Sequence, residues 1–251
     1  MTEAFFINDL QHPEFIEPPN EHVNVVICTP GDIVHIPYLL SLLDTIRYFE
    51  SAGITWCYRT AFSPHVNIAR EHLLNGGFSG NGGYKMNPTE EYKKQWRPFN
   101  NDFTYDQMLW IDNDISWDLN QVIKILEYPE DIVSGVYVAG DMETAVVALA
   151  PHKRITIQQI KNLKPKLYEA FTTGMGFMKV RSGVVESMPR PWFYCYEWDW
   201  VSPSGEHLAG LTIEEDTSFC HRARQAGYKV YVDPTMLLGH WKKVMVDPWR
   251  L

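Results

Sequence analysis

Short, wholly apolar runs alternate along this chain with stretches whose apolar residues recur at three or four positions, and the runs stop abruptly at polar residues. Val23 to Cys28 is the first run, ending at Thr29-Pro30-Gly31-Asp32. Leu39, Leu40, Leu43 and Ile46 follow at helical spacing, and Gly53 stands where a left-handed C-cap belongs. Ile54 to Tyr58 then reads as a second strand, so the segment is a βαβ unit. Ser63-Pro64 is an N-cap and first-turn pair for a helix through Leu74, which Gly76-Gly77 stops. Met108 to Ile111 is the most apolar strand, and it gives way at once to Asp112-Asn113-Asp114. Leu119, Val122, Ile123 and Leu126 make a helical stripe before Pro129, and Ile132 to Val138 returns to a strand. From Ala145 onward strands and loops dominate, including Phe177 to Val180. A last helix runs from near Asp216 to Gly227, and a strand from Lys229 to Val232 leads through Pro234 to Gly239-His240-Trp241.

An α/β domain accounts for this pattern. At 251 residues and 45% hydrophobic composition, the chain has material for one such core and little room for a second. Residues 1–22 read as an N-terminal arm carrying Pro13, Pro18 and Pro19, and residues 23–251 as one domain. Two segments interrupt it. Residues 76–104 hold five glycines and many polar groups, the signature of an insertion that is either functional or disordered. Residues 186–213 carry the aromatic cluster Trp192, Phe193, Tyr194, Tyr196, Trp198 and Trp200.

Charge and cysteine usage narrow the function classes. Twenty-two basic against 31 acidic residues, a formal charge of -9, argue against a long nucleic-acid duplex as partner. Cys28, Cys57, Cys195 and Cys220 are dispersed, without CxxC spacing, which fits a reducing cytoplasm. No stretch of about 18 apolar residues is present to span a bilayer.

Three acidic or imidazole groups stand where chemistry is expected. Asp112 and Asp114 follow a core strand at its C-terminal end, the edge where open α/β sheets bind ligands, and carboxylates there can hold Mg²⁺ or Mn²⁺ against a diphosphate. The same pair could simply cap a turn. Glu214-Glu215-Asp216 opens a helix, where acids favour the macrodipole whatever their function and where a general base would look the same. His240 follows the last strand, between Gly239 and Trp241, and an imidazole there suits Mn²⁺ as well as a structural role.

As an ordered set, these segments resemble GT-A glycosyltransferases. LWIDNDISWD looks like their DxD segment and EEDTSFCHRARQAGYKVYVDP like their later acidic motif. TTGMGFMKVRSGVVE resembles the stretch before the acceptor loop in bacterial and viral (phage) members of glycosyltransferase family 2 and its relatives. The resemblance spans roughly residues 23 to 241 and implies a Rossmann-like α/β fold for nucleotide-diphosphate sugars, with a mixed central sheet and helices on both faces, over a single catalytic domain. It implies that Asp112 meets the ribose or a metal-bound water, that Asp114 ligates Mn²⁺ or Mg²⁺ directly, and that His240 is a second ligand. It further implies that Asp216 is the general base of an inverting transfer, that Glu215 orients acceptor or donor, that Thr29, Pro30, Asp32 and Asn113 border the nucleotide, and that Arg70 supports it or the DxD loop. The donor is then a UDP- or GDP-sugar, and the acceptor a glycan or other hydroxyl compound stacked on Trp192, Tyr194, Trp198 and Trp200. A modified base as acceptor stays open, as do a metal-dependent hydrolase or nuclease and a non-catalytic carbohydrate-binding protein.

Overall fold

The computed structural model describes residues 21–74, 97–151, 153–201 and 207–242, with backbone alone at 100–101, 196–201 and 207–212. The strands are β1 (His22–Pro30), β2 (Trp56–Ala61), β3 (Thr104–Ile111), β4 (Ile115–Ser116), β5 (Ile132–Val136), β6 (Thr144–Ala150), β7 (Lys153–Thr156), β8 (Tyr168–Glu169), β9 (Thr172–Thr173), β10 (Phe177–Arg181), β11 (Tyr196–Val201), β12 (His207–Ile213), β13 (Val230–Leu237) and β14 (Gly239–His240). The α-helices are α1 (Ile36–Ala52), α2 (Val66–Leu74), α3 (Leu119–Glu127), α4 (Ile157–Lys161) and α5 (Glu215–Gln225).

Seven strands form the central sheet in the order β2-β1-β3-β10-β5-β13-β8. Within it β1 runs parallel to both β2 and β3, β10 is antiparallel to its neighbours β3 and β5, and β13 is parallel to β5, so the sheet is mixed as expected. Both faces are covered. Val26 and Cys28 of β1, Met108 and Trp110 of β3, and Met178 and Val180 of β10 pack with Leu73 and Leu74 of α2 and Phe219 and Ala223 of α5. Val25 and Ile27, Leu109 and Ile111, and Phe177 face the other way, against Tyr38, Leu42 and Phe49 of α1 and Val122 and Ile125 of α3. The two-residue period of each strand therefore feeds two helical layers, which is why these runs are apolar throughout.

Four local expectations change. On α1 the buried residues are Tyr38, Leu42, Thr45 and Phe49, whereas Leu39, Leu40 and Leu43 are exposed. Steps of four, three and four residues keep the first set on one stripe, and Leu39, Leu40 and Leu43 lie around the helix from it. The helix after Ser63-Pro64 starts at Val66, because the Ser63 hydroxyl is taken up locally by the His65 N–H at 3.2 Å. Strand β13 runs on past Pro234 to Leu237, and a register shift against β5 between Val232 and Leu237 gives the proline its place. The expected insertion at 76–104 lies outside the described residues over 76–96. Beyond it, Phe99 and Phe103 are buried in the core, so its C-terminal end belongs to the domain. The expected arm at 1–22 likewise lies outside the described residues as far as residue 20.

No helix among the described residues is long and apolar enough to cross a membrane.

Candidate active site

The polar residues that follow β1, β3, β5 and β13 gather at one edge of the sheet, together with the loop that enters antiparallel β10. Parallel strands with crossover helices place their C-terminal ends together, and loops there are free of the helical layers. After β3, the Asp112 N–H donates to the Gly176 carbonyl at 3.0 Å, so the acidic turn is tied to the entry of β10. Asn113 is tied on the opposite side, its amide donating to the Ile33 carbonyl and its own carbonyl accepting from the His35 N–H at 3.3 Å.

The two aspartates of the turn go to different partners. One oxygen of Asp112 accepts a 2.8 Å hydrogen bond from Nη2 of Arg70. Arg70 is only 2% exposed; its Nε faces Glu215 at 3.6 Å, and its guanidinium lies over the Trp110 ring, 5.7 Å from the centroid. Burial alone would disfavour its charge, yet Asp112 and Glu215 hold its pKa above the usual value, so it is the fixed cation of a carboxylate cluster. The Nε and Nη1 of this guanidinium make no hydrogen bond.

Asp114 points elsewhere. Its Oδ2 stands 3.2 Å from Nε2 of His240 and accepts from the Lys242 ammonium at 2.8 Å. Burial pushes its carboxyl up, but His240 in its doubly protonated form and Lys242 outweigh that and keep it below the usual range. The meeting of these distant residues is built by the backbone: β14 pairs antiparallel with β4, setting His240 opposite Ile115, and the Trp241 N–H donates to the Asp114 carbonyl at 2.8 Å. The Trp241 ring then stacks on His35 at 3.9 Å. On the far side of the imidazole, Nδ1 meets the Val138 carbonyl at 2.6 Å. A carbonyl can only accept, so Nδ1 carries a proton and, in the neutral ring, the lone pair of Nε2 faces Asp114.

The third group is at the start of α5. Asp216 is pushed up to about 6 by burial and by its neighbour Glu215, against the pull of Arg70 and of the Thr217 N–H, which donates to it at 2.6 Å. Arg70 thus lies between the acidic turn and the α5 carboxylates, and the sequence-expected residues Arg70, Asp112, Glu215 and Asp216 form one cluster. Asp114 and His240 form a second one. Asp112 is turned toward Arg70, and among the described residues no group of three His, Cys, Asp or Glu side chains converges as a metal site.

Other expected contacts are placed differently. Thr29 is buried, its hydroxyl bonded to that of Tyr38 at 2.5 Å, and Pro30 is buried too, so Asp32 is the one of the three that presents its side chain to solvent. The expectation that Trp192 stacks on an acceptor is corrected by its burial: it is fully enclosed, its Nε1 donates to the Met188 carbonyl, and Phe193 beside it packs on Trp110 and Phe219. Tyr194 is exposed, with the Arg222 guanidinium 5.7 Å from its ring centroid. The side chains of Trp198 and Trp200 lie outside the described residues, whose backbone there forms the antiparallel pair β11 and β12. The loop before them is clamped by Glu71, which accepts from the Phe193 N–H at 2.6 Å and from Arg190 at 3.2 Å, and by Arg222, which donates to the Pro189 and Pro191 carbonyls.

Sequence reasoning missed Lys242, Glu71 and Tyr137. Lys242 had a signal, a cation two positions after the histidine. Glu71 looked like an ordinary helix acid and Tyr137 like part of an apolar strand.

No protein-family model and no curated protein matches the chain. Solved structures do. The crystal structure of A197 from STIV aligns over 89% of this chain and 97% of its own, with TM-score 0.46 and 17% identity. The catalytic domain of Drosophila beta1,4galactosyltransferase 7, in complex with xylobiose, aligns over 89% of this chain and 71% of its own, at TM-score 0.44 and 17% identity. GalNAc-T7 with UDP, GalNAc and Mn2+ aligns over 88% of this chain but 44% of its own, at TM-score 0.42 and 10% identity.

Proposed function

We propose that this protein is a GT-A glycosyltransferase that moves a sugar from a UDP- or GDP-sugar to an acceptor hydroxyl, with Asp216 as general base and inversion at the anomeric carbon. The observation that carries the reading is that two acidic centres stand apart: Asp114 pairs with His240, while Arg70 joins Asp112 to Glu215, the neighbour of Asp216. A displacement on carbon needs that division, because the group that neutralises the leaving diphosphate and the group that takes the acceptor proton act on opposite sides of the sugar.

The Asp114 and His240 pair fits Mn²⁺ or Mg²⁺, since the Val138 carbonyl fixes the imidazole tautomer whose Nε2 lone pair faces the carboxylate, the orientation that outer hydrogen bonds give to metal-bound histidines. A bound divalent ion would supply charge neutralisation for the departing diphosphate. Lys242 brings a second cation to the same carboxylate and is placed to meet phosphate oxygens. Asp112, held by Arg70 through one oxygen, keeps the other for the ribose. Asp32 is the exposed group beside β1 that can meet the nucleoside. Asp216, raised to about 6, is ionised and basic near neutral pH, the balance a general base needs. Exposed Tyr194 stands for the acceptor side.

Calorimetric titration with UDP and with GDP, in Mn²⁺ and in excess chelator, tests the reading. Binding that requires the cation, followed by sugar transfer to a hydroxyl acceptor, is the expected result. Equal affinity with and without the ion, or donor consumption that yields only free sugar under every acceptor tried, would overturn it in favour of a binding protein or a hydrolase.

A further inference from the structure

Between the two acidic centres stands a side chain with no part in the reading so far. Tyr137 follows β5 and is buried, yet its hydroxyl is at the polar edge of the sheet. The Gly176 N–H donates to the phenol oxygen at 2.9 Å, and the carbonyl of the same residue holds the Asp112 N–H at 3.0 Å. One peptide group thus ties the phenol to the acidic turn. The loop is glycine on both sides because the ring occupies the space: a Cβ at Gly176 would come 2.7 Å from the Tyr137 Cζ, and one at Gly174 would overlap the hydroxyl. The ring meets His240 in a T-shaped arrangement, at a centroid distance of 5.0 Å and an interplanar angle of 80°.

The phenol oxygen accepts from Gly176, so its own proton is free to be donated. The groups whose charges act on it are the carboxylates of Asp112 and Asp216 and the guanidinium of Arg70. A guanidinium accepts nothing, so of these three groups only a carboxylate can take that proton.

We propose that Tyr137 is a positioning residue for transfer, its hydroxyl holding the Asp112 turn and the Asp216 carboxylate in register while its ring fixes the plane of His240. The inference rests on the transferase reading and adds to it a link between the donor and acceptor halves of the site. It also divides the side chain in two: the hydroxyl serves the base, the ring serves the cation ligand.

Tyr137→Phe keeps the ring and removes the link. Mn²⁺-dependent UDP or GDP binding should stay within about twofold of the parent, while kcat per nucleotide-binding site falls about tenfold or more, with the donor KM little changed. Tyr137→Leu, which also removes the ring, should in addition weaken the Mn²⁺-dependent part of nucleotide binding. Counting sites by nucleotide titration keeps partly folded material out of the rate, and Gly174→Ala, which displaces the hydroxyl without deleting it, should reproduce the kcat loss. A kcat per site within twofold of the parent in both Tyr137→Phe and Gly174→Ala would overturn the proposal, as would a lowered melting temperature with full kcat per site, the pattern of a purely structural tyrosine. Parent protein that binds nucleotide with Mn²⁺ but transfers no sugar sinks the transferase reading instead, and the proposal with it.

Discussion

His240 stands 3.2 Å from Asp114 although 126 positions separate them, and the contact exists because β14 closes against β4 rather than because either residue lies on the main sheet. That two-residue pairing carries the end of the described chain back over the acidic turn. It also brings Lys242 and Trp241 along, one to the Asp114 carboxylate and the other to the His35 ring.

Asp114→Ala and His240→Ala should each weaken cation-dependent nucleotide binding by at least about tenfold, measured by calorimetry at fixed Mn²⁺. Asp118→Ala is the control on the same segment. Asp118 caps α3 in a reciprocal box with Gln121, so its loss should cost about 1 kcal/mol of stability and leave nucleotide affinity unchanged. Equal effects of Asp114→Ala and Asp118→Ala on binding would return the acidic turn to a structural role.

Arg70→Met leaves Asp112 and Glu215 without their buried cation. Removing one partner of a buried ion pair typically costs about 3 to 5 kcal/mol, because the remaining charge stays desolvated. Urea denaturation at neutral pH should show a loss of that order. Asp112→Asn on the Arg70→Met background should recover part of it, and no recovery would mean that packing on Trp110, rather than charge, is what Arg70 supplies.

Trp192→Ala should act on stability and Tyr194→Ala on acceptor use. Truncating a fully enclosed tryptophan costs about 3 to 5 kcal/mol, which denaturation reads directly. Tyr194 is exposed, so its truncation should leave the melting temperature within a few degrees and raise the acceptor KM. The reverse assignment of effects would mean that the loop opens to let Trp192 meet the acceptor.

The α/β alternation was accessible from periodicity, because a strand buried on two faces leaves an unbroken apolar run such as Met108 to Ile111, whereas the order of the strands in the sheet was not. The stripe of α1 was not, since Leu39, Leu40 and Leu43 are more apolar than Tyr38 and Thr45, and composition outweighed geometry. The ordered set Asp112, Asp114, Asp216 and His240 was legible as motifs. What pairs with what was not: Asp112 and Asp114 are two residues apart, yet one faces Arg70 and the other His240, a difference made by a turn and by the β14 closure, which leave no local mark. The aromatic cluster misled for a similar reason, because Trp192 and Tyr194 alternate in sequence while Glu71 and Arg222 draw only the first part of the loop into the core.

Asp216→Asn separates chemistry, stability and binding in one variant. The wild-type carboxyl is pushed up to about 6 by burial and by Glu215, so the fold disfavours its ionised form. A carboxyl raised in this way adds no cost at low pH, where it is protonated in both folded and unfolded chains. The cost develops as pH rises from about 4, where the unfolded side chain ionises, and is complete above about 6. Asparagine keeps the size and an oxygen for the Thr217 N–H but cannot ionise, so the variant should match the wild type below about pH 4 and exceed it by roughly 2 to 3 kcal/mol at neutral pH. Over the same range wild-type kcat/KM should rise through an acid limb near 6 as the base ionises, while the variant transfers sugar about 10²-fold more slowly with nucleotide and Mn²⁺ affinity little changed. A variant that is both more stable and inactive is the mark of a strained catalytic group. Near wild-type transfer by Asp216→Asn, or a product that keeps the donor's anomeric configuration, would take the base assignment away from Asp216 and put a retaining mechanism ahead.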